Sequence, residues 1–172
     1  MKLGFIAAVA ALSLSFQQAN AQIVPGRFLG SWQSGRVALD DGTYSCQAVQ
    51  CSGQCGLGKY FLLIALPGKS YVIPSFNNDF FVPPGTEATL KIAGKKYRLR
   101  NHEKKPSKIL TPVDGRTLVA IVNAITALER KSKSARFEVA APNGTTESFS
   151  VRGFRRVLAD FNEQCESAKR GY

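Results

Sequence analysis

The hydrophobic pattern changes period about two-thirds of the way along the chain, and this change narrows the fold more than any other feature. Up to about residue 112 the apolar residues come in short segments broken by Gly, Pro and Asn, the punctuation of strands and turns. Residues 28–38 and 43–49 are expected strands around the Asp40-Asp41-Gly42 turn. Residues 60–66, YFLLIAL, form a continuous apolar run of the length and composition of a central strand buried on both faces. Pro67-Gly68-Lys69 turns the chain into Tyr71-Val-Ile-Pro74, and a loop rich in Pro, Asn and Phe is expected over residues 74–85. A hairpin follows, with Leu90 and Ile92 alternating before Gly94-Lys95 and Tyr97 and Leu99 after it.

From Leu118 the spacing becomes three and four. Leu118, Ile121, Val122, Ile125 and Leu128 mark the stripe of an amphipathic helix. Thr111-Pro112 or Asp114 can supply its N-cap, and Arg130, Lys131 and Lys133 suit the negative end of its dipole. Phe137 and Val139 alternate in a strand, Asn143-Gly144 reads as a type I′ hairpin turn, and Phe149 and Val151 alternate in the returning strand. Phe154, Val157, Leu158, Phe161 and Cys165 mark one face of a closing helix, with Arg155, Arg156, Asp160 and Glu163 able to face solvent. The fold expected is mainly β (α+β): an antiparallel curled sheet, small barrel or sandwich, with two helices packed on it near the C-terminus.

The first residues read as an export signal. Lys2 provides the positive end, residues 3–16 are apolar or small, and Gln17-Gln18-Ala19-Asn20-Ala21 ends in Ala-x-Ala, a pattern of signal-peptidase sites. The apolar run falls short of the ~20 residues that span a bilayer. Residues 1–21 are therefore expected to be removed, leaving residues 22–172 as one β-rich domain, periplasmic or secreted, with no transmembrane segment. Export decides how the four cysteines read. In an oxidising compartment Cys46, Cys51, Cys55 and Cys165 are expected to form two disulfides, for which three connectivities exist. A local Cys51–Cys55 bridge with a long-range Cys46–Cys165 bridge is preferred, because the second closes a very long loop, worth about 4–5 kcal/mol in the chain-entropy description. A zinc site favours paired Cys-x2-Cys knuckles, and thiol oxidoreductases use Cys-x-x-Cys at a helix start; Cys51-Ser-Gly-Gln-Cys55 has neither form.

Enzyme signatures are absent from the pattern. The chain shows no Gly-x-Ser-x-Gly elbow, no His-Glu-x-x-His and no phosphate-binding glycine loop, and no cofactor or metal is expected. His102, the single histidine, lies in a charged loop and reads as solvated surface. The formal charge of +11 draws an exported protein to anionic surfaces. The densest cations are Lys91, Lys95, Lys96, Arg98, Arg100, Lys104, Lys105 and Lys108, a hairpin and the loop after it. The first seven are the candidate contacts to an anionic envelope polymer or lipid; their bland reading is a solvated sheet edge guarded by lysines. Tyr97 is the one aromatic among them, too little to stack single-stranded nucleic acid, and no specific nucleic-acid partner is expected. Phe76, Phe80 and Phe81 in the expected loop are the candidate contacts to an envelope or host protein. Asn143-Gly144-Thr145 fits a glycosylation triplet, but its turn role accounts for it better.

The C-terminal half, from residues 118–128 (LVAIVNAITAL) through 135–139 (ARFEV) and Asn143-Gly144 to 149–154 (FSVRGF) and Leu158, resembles the invasion-associated locus B family of exported bacterial proteins. The early Trp32 followed by Cys46 is similar to that family's opening. This chain lacks a further cysteine pair before the first helix, where the family pattern leads one to expect it. The resemblance implies a β-rich, non-enzymatic periplasmic or surface-associated protein, tied in some relatives to host-cell invasion, with no catalytic residues to carry over. The function expected is thus a disulfide-stabilised binding module. The alternatives are an envelope hydrolase using dispersed carboxylates or the His102 region, and an inhibitor inserting a rigid loop into another protein.

Overall fold

The computed structural model describes residues 24–39, 42–52 and 59–169; the expected leader lies outside them. Ten strands and two helices follow one another along these residues. They are β1 (Val24–Leu29), β2 (Trp32–Ala38), β3 (Tyr44–Cys51), β4 (Tyr60–Ala65), β5 (Val72–Val82), β6 (Glu87–Ile92), β7 (Lys95–Arg100), β8 (Ser107–Pro112), α1 (Gly115–Lys131), β9 (Arg136–Ala140), β10 (Thr146–Ser150) and α2 (Phe154–Lys169). All strands join one curled, unclosed antiparallel sheet in the order β1-β2-β3-β4-β5-β8-β7-β6-β9-β10. The mainly β architecture with two C-terminal helices is therefore the one expected, and the curled sheet rather than the closed barrel is realised.

The core fills the inside of the curl. Trp32, Phe61, Phe76, Phe137, Phe149 and Phe154 are all essentially inaccessible to solvent. Most of their rings meet edge-on, as aromatic quadrupoles prefer: Trp32 on Phe61 and Phe154, Phe61 on Phe137, Phe76 on Phe149, while Phe137 stacks on Phe149. From the helices, Ile121 and Ile125 of α1 and Val157 and Phe161 of α2 close over this cluster. β4 is buried on both faces, as its unbroken apolar run implies. Phe61, Leu63 and Ala65 point into the main core, whereas Leu62 and Ile64 join Leu66, Ile73 and Leu118 in a second, smaller cluster.

Several local expectations change. The segment 28–38 is two strands, because Gly30 takes φ +73 and turns the chain before Trp32. The expected loop after residue 74 is instead the continuation of β5 to Val82, the longest strand described. Pro74 fits there, opposite Leu63 on β4. On its other side the β8 ladder begins only at Phe76, so the missing N–H costs no ladder bond. The segment 107–112, which carried no strand expectation, is β8. Asp114 is the N-cap of α1, its carboxylate accepting from Thr117 N–H at 2.7 Å, while Thr111-Pro112 ends β8. The turn at Asn143-Gly144 is not type I′. Gly144 N–H donates to Ala141 O at 3.0 Å and Ala141 N–H to Thr145 O at 2.8 Å, and among the described residues only Ala93 is a non-glycine with positive φ. The turn that forms spans residues 141–144, one residue earlier, with Pro142 at its first central position, where its fixed negative φ suits a type I or II turn, and Gly144 follows with φ +84. The two-residue type I′ turn falls at Ala93 (φ 48) and Gly94 (φ 83), between Ile92 and its partner Lys95. Asp160, expected to face solvent, is buried beside β1, its Oδ1 taking a bond from Gln164 and lying 3.9 Å from Arg27.

Two crossings hold the curl. At the first, Ser31 N–H donates to Arg152 O at 2.9 Å, which lays the β1–β2 turn on the turn between β10 and α2. A Cβ on Gly153 would stand 1.8 Å from Leu29 O, and one on Gly30 would stand 2.4 Å from Arg152 O, so the contact requires glycine on both sides. Glu129, in the last turn of α1, takes N–H bonds from Gly153 (2.7 Å) and Arg155 (2.8 Å), placing a carboxylate on the positive end of α2. At the second crossing, β10 has no backbone ladder to β3. Instead the Gln50 side-chain amide acts as a strand edge would, donating to Ser150 O at 2.9 Å and accepting from Ser150 N–H.

Candidate anionic-partner surface

On the hairpin the buried residues are Ala88, Leu90 and Ile92 of β6 and Leu99 of β7. Successive strand side chains alternate between faces, so Glu87, Thr89 and Lys91 on β6, and Lys96, Arg98 and Arg100 on β7, share the outward face. The register aligns them in rows: Lys91 with Lys96, Thr89 with Arg98, Glu87 with Arg100. On the other side of β6, Glu138 of β9 stands opposite Lys91 and Ala140 opposite Thr89. Beyond these lie Ser148 and Thr146 of β10. Long cations thus lie beside Thr89, Ala140, Ser148 and Thr146, with the exposed carboxylate of Glu138 among them.

Glu87 is the only carboxylate in the β6–β7 ladder and is shared by two arginines. Arg100 donates to it through Nε at 2.8 Å and also through Nη2, and Arg98 Nη1 lies 3.6 Å away. The Arg100 hydrogen bond, ahead of the two guanidinium charges, holds the Glu87 carboxyl below the ordinary carboxylate range. Among the described residues no ion pair involves Lys91, Lys95 or Lys96. Two lysines directly across an antiparallel pair repel, and Glu138, on the other side of Lys91, offsets part of that repulsion. Arg136 of β9 is committed elsewhere, its guanidinium donating to Ser148 Oγ (2.8 Å) and Ser148 O (2.6 Å).

The basic stretch read as one segment is divided in space. Lys91, Lys96, Arg98 and Arg100 form the outward face, with the exposed Lys95 beside the turn. Lys104 and Lys105, also exposed, lie past the far end of β7 on the 101–106 loop. His102 is half-buried there rather than solvated, its Nε2–H donating to Pro112 O at 3.1 Å. Of the three phenylalanines, Phe76 is withdrawn into the core and is corrected from surface contact to core residue; its register opposite Leu110 points it inward. Phe80 and Phe81 are on the surface.

Cys46 and Cys51 stand as disulfide-bonded sulfurs. Five residues apart on one strand they are about 17 Å from one another, beyond the ~7 Å Cα separation a disulfide allows, so they do not bond each other. Cys55 and the side chain of Cys165 lie outside the described residues.

A cluster with no sequence signal sits on the core side of β10. Glu147 accepts from Ser52 Oγ and from the nearly buried Lys59 ammonium at 3.1 Å, and Lys59 also donates to Thr145. The Ser52 hydrogen bond, and then those from Lys59, lower the Glu147 pKa against the effect of its burial. These residues are 86–95 positions apart in sequence, so only the curl of the sheet brings them together.

By fold and surface the chain is a curled antiparallel β-sheet protein with a cation-lined outer hairpin. No family model, curated protein or solved structure matches it. Among the described residues no helix is long and apolar enough to cross a membrane.

Proposed function

We propose that this chain is an exported, non-enzymatic binding module whose outward β6–β7 face engages an anionic partner in the bacterial envelope. The observation that carries the proposal is the Lys91–Lys96 row, two directly opposed lysines with no ion pair among the described residues, beside Arg98 and Arg100 that share Glu87, the one carboxylate of the β6–β7 ladder. Such a face is stabilised by an anion and is not needed by the fold beneath it. Export is supported by the three-part leader pattern, and the resemblance to the invasion-associated locus B family agrees with that address. Disulfides Cys46–Cys165 and Cys51–Cys55 belong to the same proposal. In favour of the long bridge, Cys46 faces the core cluster that holds Phe161, and α2 packs over β3.

The test is retention of the mature protein on heparin as a function of salt. The variant K91E/K96E/R98E is compared with K133E/R155E/R156E, which changes net charge equally at exposed positions elsewhere. The first should elute at much lower salt with a reduced salt dependence, and the second close to wild type. Equal losses in the two variants would show that net charge alone, and not this face, does the binding.

A further inference from the structure

β5 and β8 part company between their two paired stretches. Asn77 stands opposite Ile109 and Val82 opposite Ser107, so Asn78, Asp79, Phe80 and Phe81 face Lys108 alone. In an unbroken strand one of two adjacent phenylalanines would turn inward. Here the bulge leaves both outside, Phe80 37% and Phe81 50% exposed. It also has an internal cost, since Asn78 is fully buried with both amide atoms lacking a partner. A bulge that exposes two rings and strands a buried amide gains nothing for the fold, and such features are kept where they aim side chains at something outside.

Cations surround the rings. Lys108 Nζ lies 5.1 Å above the Phe81 ring. The loop carrying Lys104 and Lys105 is fastened to the end of β5 through Asn101, whose Nδ2 donates to Val82 O (3.0 Å) and Lys105 O (3.3 Å). The nearby carboxylates are Glu103, which takes a 3.4 Å bond from Ser107 Oγ, and the exposed Asp79.

We propose that Phe80 and Phe81 form a wedge that enters the interfacial layer of an anionic phospholipid bilayer while Lys104, Lys105 and Lys108 meet its phosphates. This rests on the reading above that the partner is anionic, and it assigns that partner to a lipid surface. Rings reach the acyl boundary as lysine stems keep their ammonium groups at headgroup level. Each lysine near such a surface strengthens attachment roughly fivefold, and Asp79 opposes it.

The test measures partition of the mature protein onto vesicles of phosphatidylcholine with and without phosphatidylglycerol, beside heparin retention. Variant F80S/F81S should lose at least about tenfold on the anionic vesicles with heparin elution unchanged, and D79N should bind them more tightly. Variant F81W should show an emission shift to the blue on anionic vesicles, against a constant background from the buried Trp32. Anionic-vesicle binding of F80S/F81S within twofold of wild type, or F81W emission unmoved on vesicles that hold the protein, would overturn the wedge. If K91E/K96E/R98E abolishes heparin retention while F80S/F81S keeps full vesicle binding, the anionic hairpin stands and the wedge alone fails. A wild-type protein that ignores anionic vesicles also removes it.

Discussion

Replacing Gly153 by alanine tests how the curl of the sheet is held. Gly153 has φ +94, and a Cβ there would lie 1.8 Å from Leu29 O and 2.6 Å from Leu29 C. The backbone conformation alone costs an L-residue about 1–2 kcal/mol. The clash is with backbone on both sides, so the β1–β2 turn must withdraw. That loosens the Ser31–Arg152 bond at 2.9 Å and the Glu129 carboxylate bonds to Gly153 and Arg155. One neutral bond and a pair of charge-assisted bonds add roughly 3–4 kcal/mol when broken, so G153A should cost about 4–6 kcal/mol. Gly144 is the internal control. Its φ is +84 with nothing within 4 Å of an added Cβ, so G144A should cost only the conformational ~1–2 kcal/mol. In urea denaturation with disulfides intact, the two midpoints should separate widely at equal slope. In thermal melts the losses should be roughly 8–24 °C for G153A and 2–8 °C for G144A. A G153A variant within 1 kcal/mol of G144A would refute the close approach, and with it the docking of the β1–β2 turn on the start of α2.

A93N should stabilise the hairpin by about 0.5–1 kcal/mol, since asparagine accepts the positive φ that Ala93 now holds; a rise in melting temperature checks this, and a fall would contradict the turn geometry. Glu147 has a folded pKa below its unfolded value, so its contribution is present above the unfolded pKa and lost as pH falls through the folded one. Compared with E147Q, the wild-type protein should therefore lose additional urea stability between about pH 5 and pH 2. Parallel stability curves for the two would show that the Ser52–Glu147–Lys59 cluster does not fasten β10. Asp114 and Glu87 shift in the same direction, and the comparison with E147Q cancels them.

Legibility in the sequence followed the range of the forces. The β6–β7 hairpin, α1 with its Asp114 cap, β9–β10 and α2 were readable because period, capping and turn chemistry act over a few residues. β8 was not, since Ser107–Pro112 has no alternation of its own. It exists because Leu110 and Ile109 find Phe76 and Asn77 across the ladder. The bulge in β5 was hidden for the same reason, as two flanking registers define it. Part of the candidate surface was visible as a cluster of lysines and arginines. What the cluster could not reveal was its division into an outward face on β6–β7 and a separate group beside Phe81.

By itself the sequence determined the class: a β-rich chain closed by two amphipathic helices, with a core strand apolar on both faces and a large excess of cations. Those are properties of composition and periodicity, which local physics reads directly. Tertiary structure alone decided the rest. It withdrew Phe76 and left Phe80 and Phe81 outside, because a register shift reverses which residues face the core. It set Lys91 against Lys96, and it brought Ser52, Lys59 and Glu147 to one point. It also made Gly30 and Gly153 indispensable to one another, because a contact between backbones distant in sequence leaves no periodic trace in either segment.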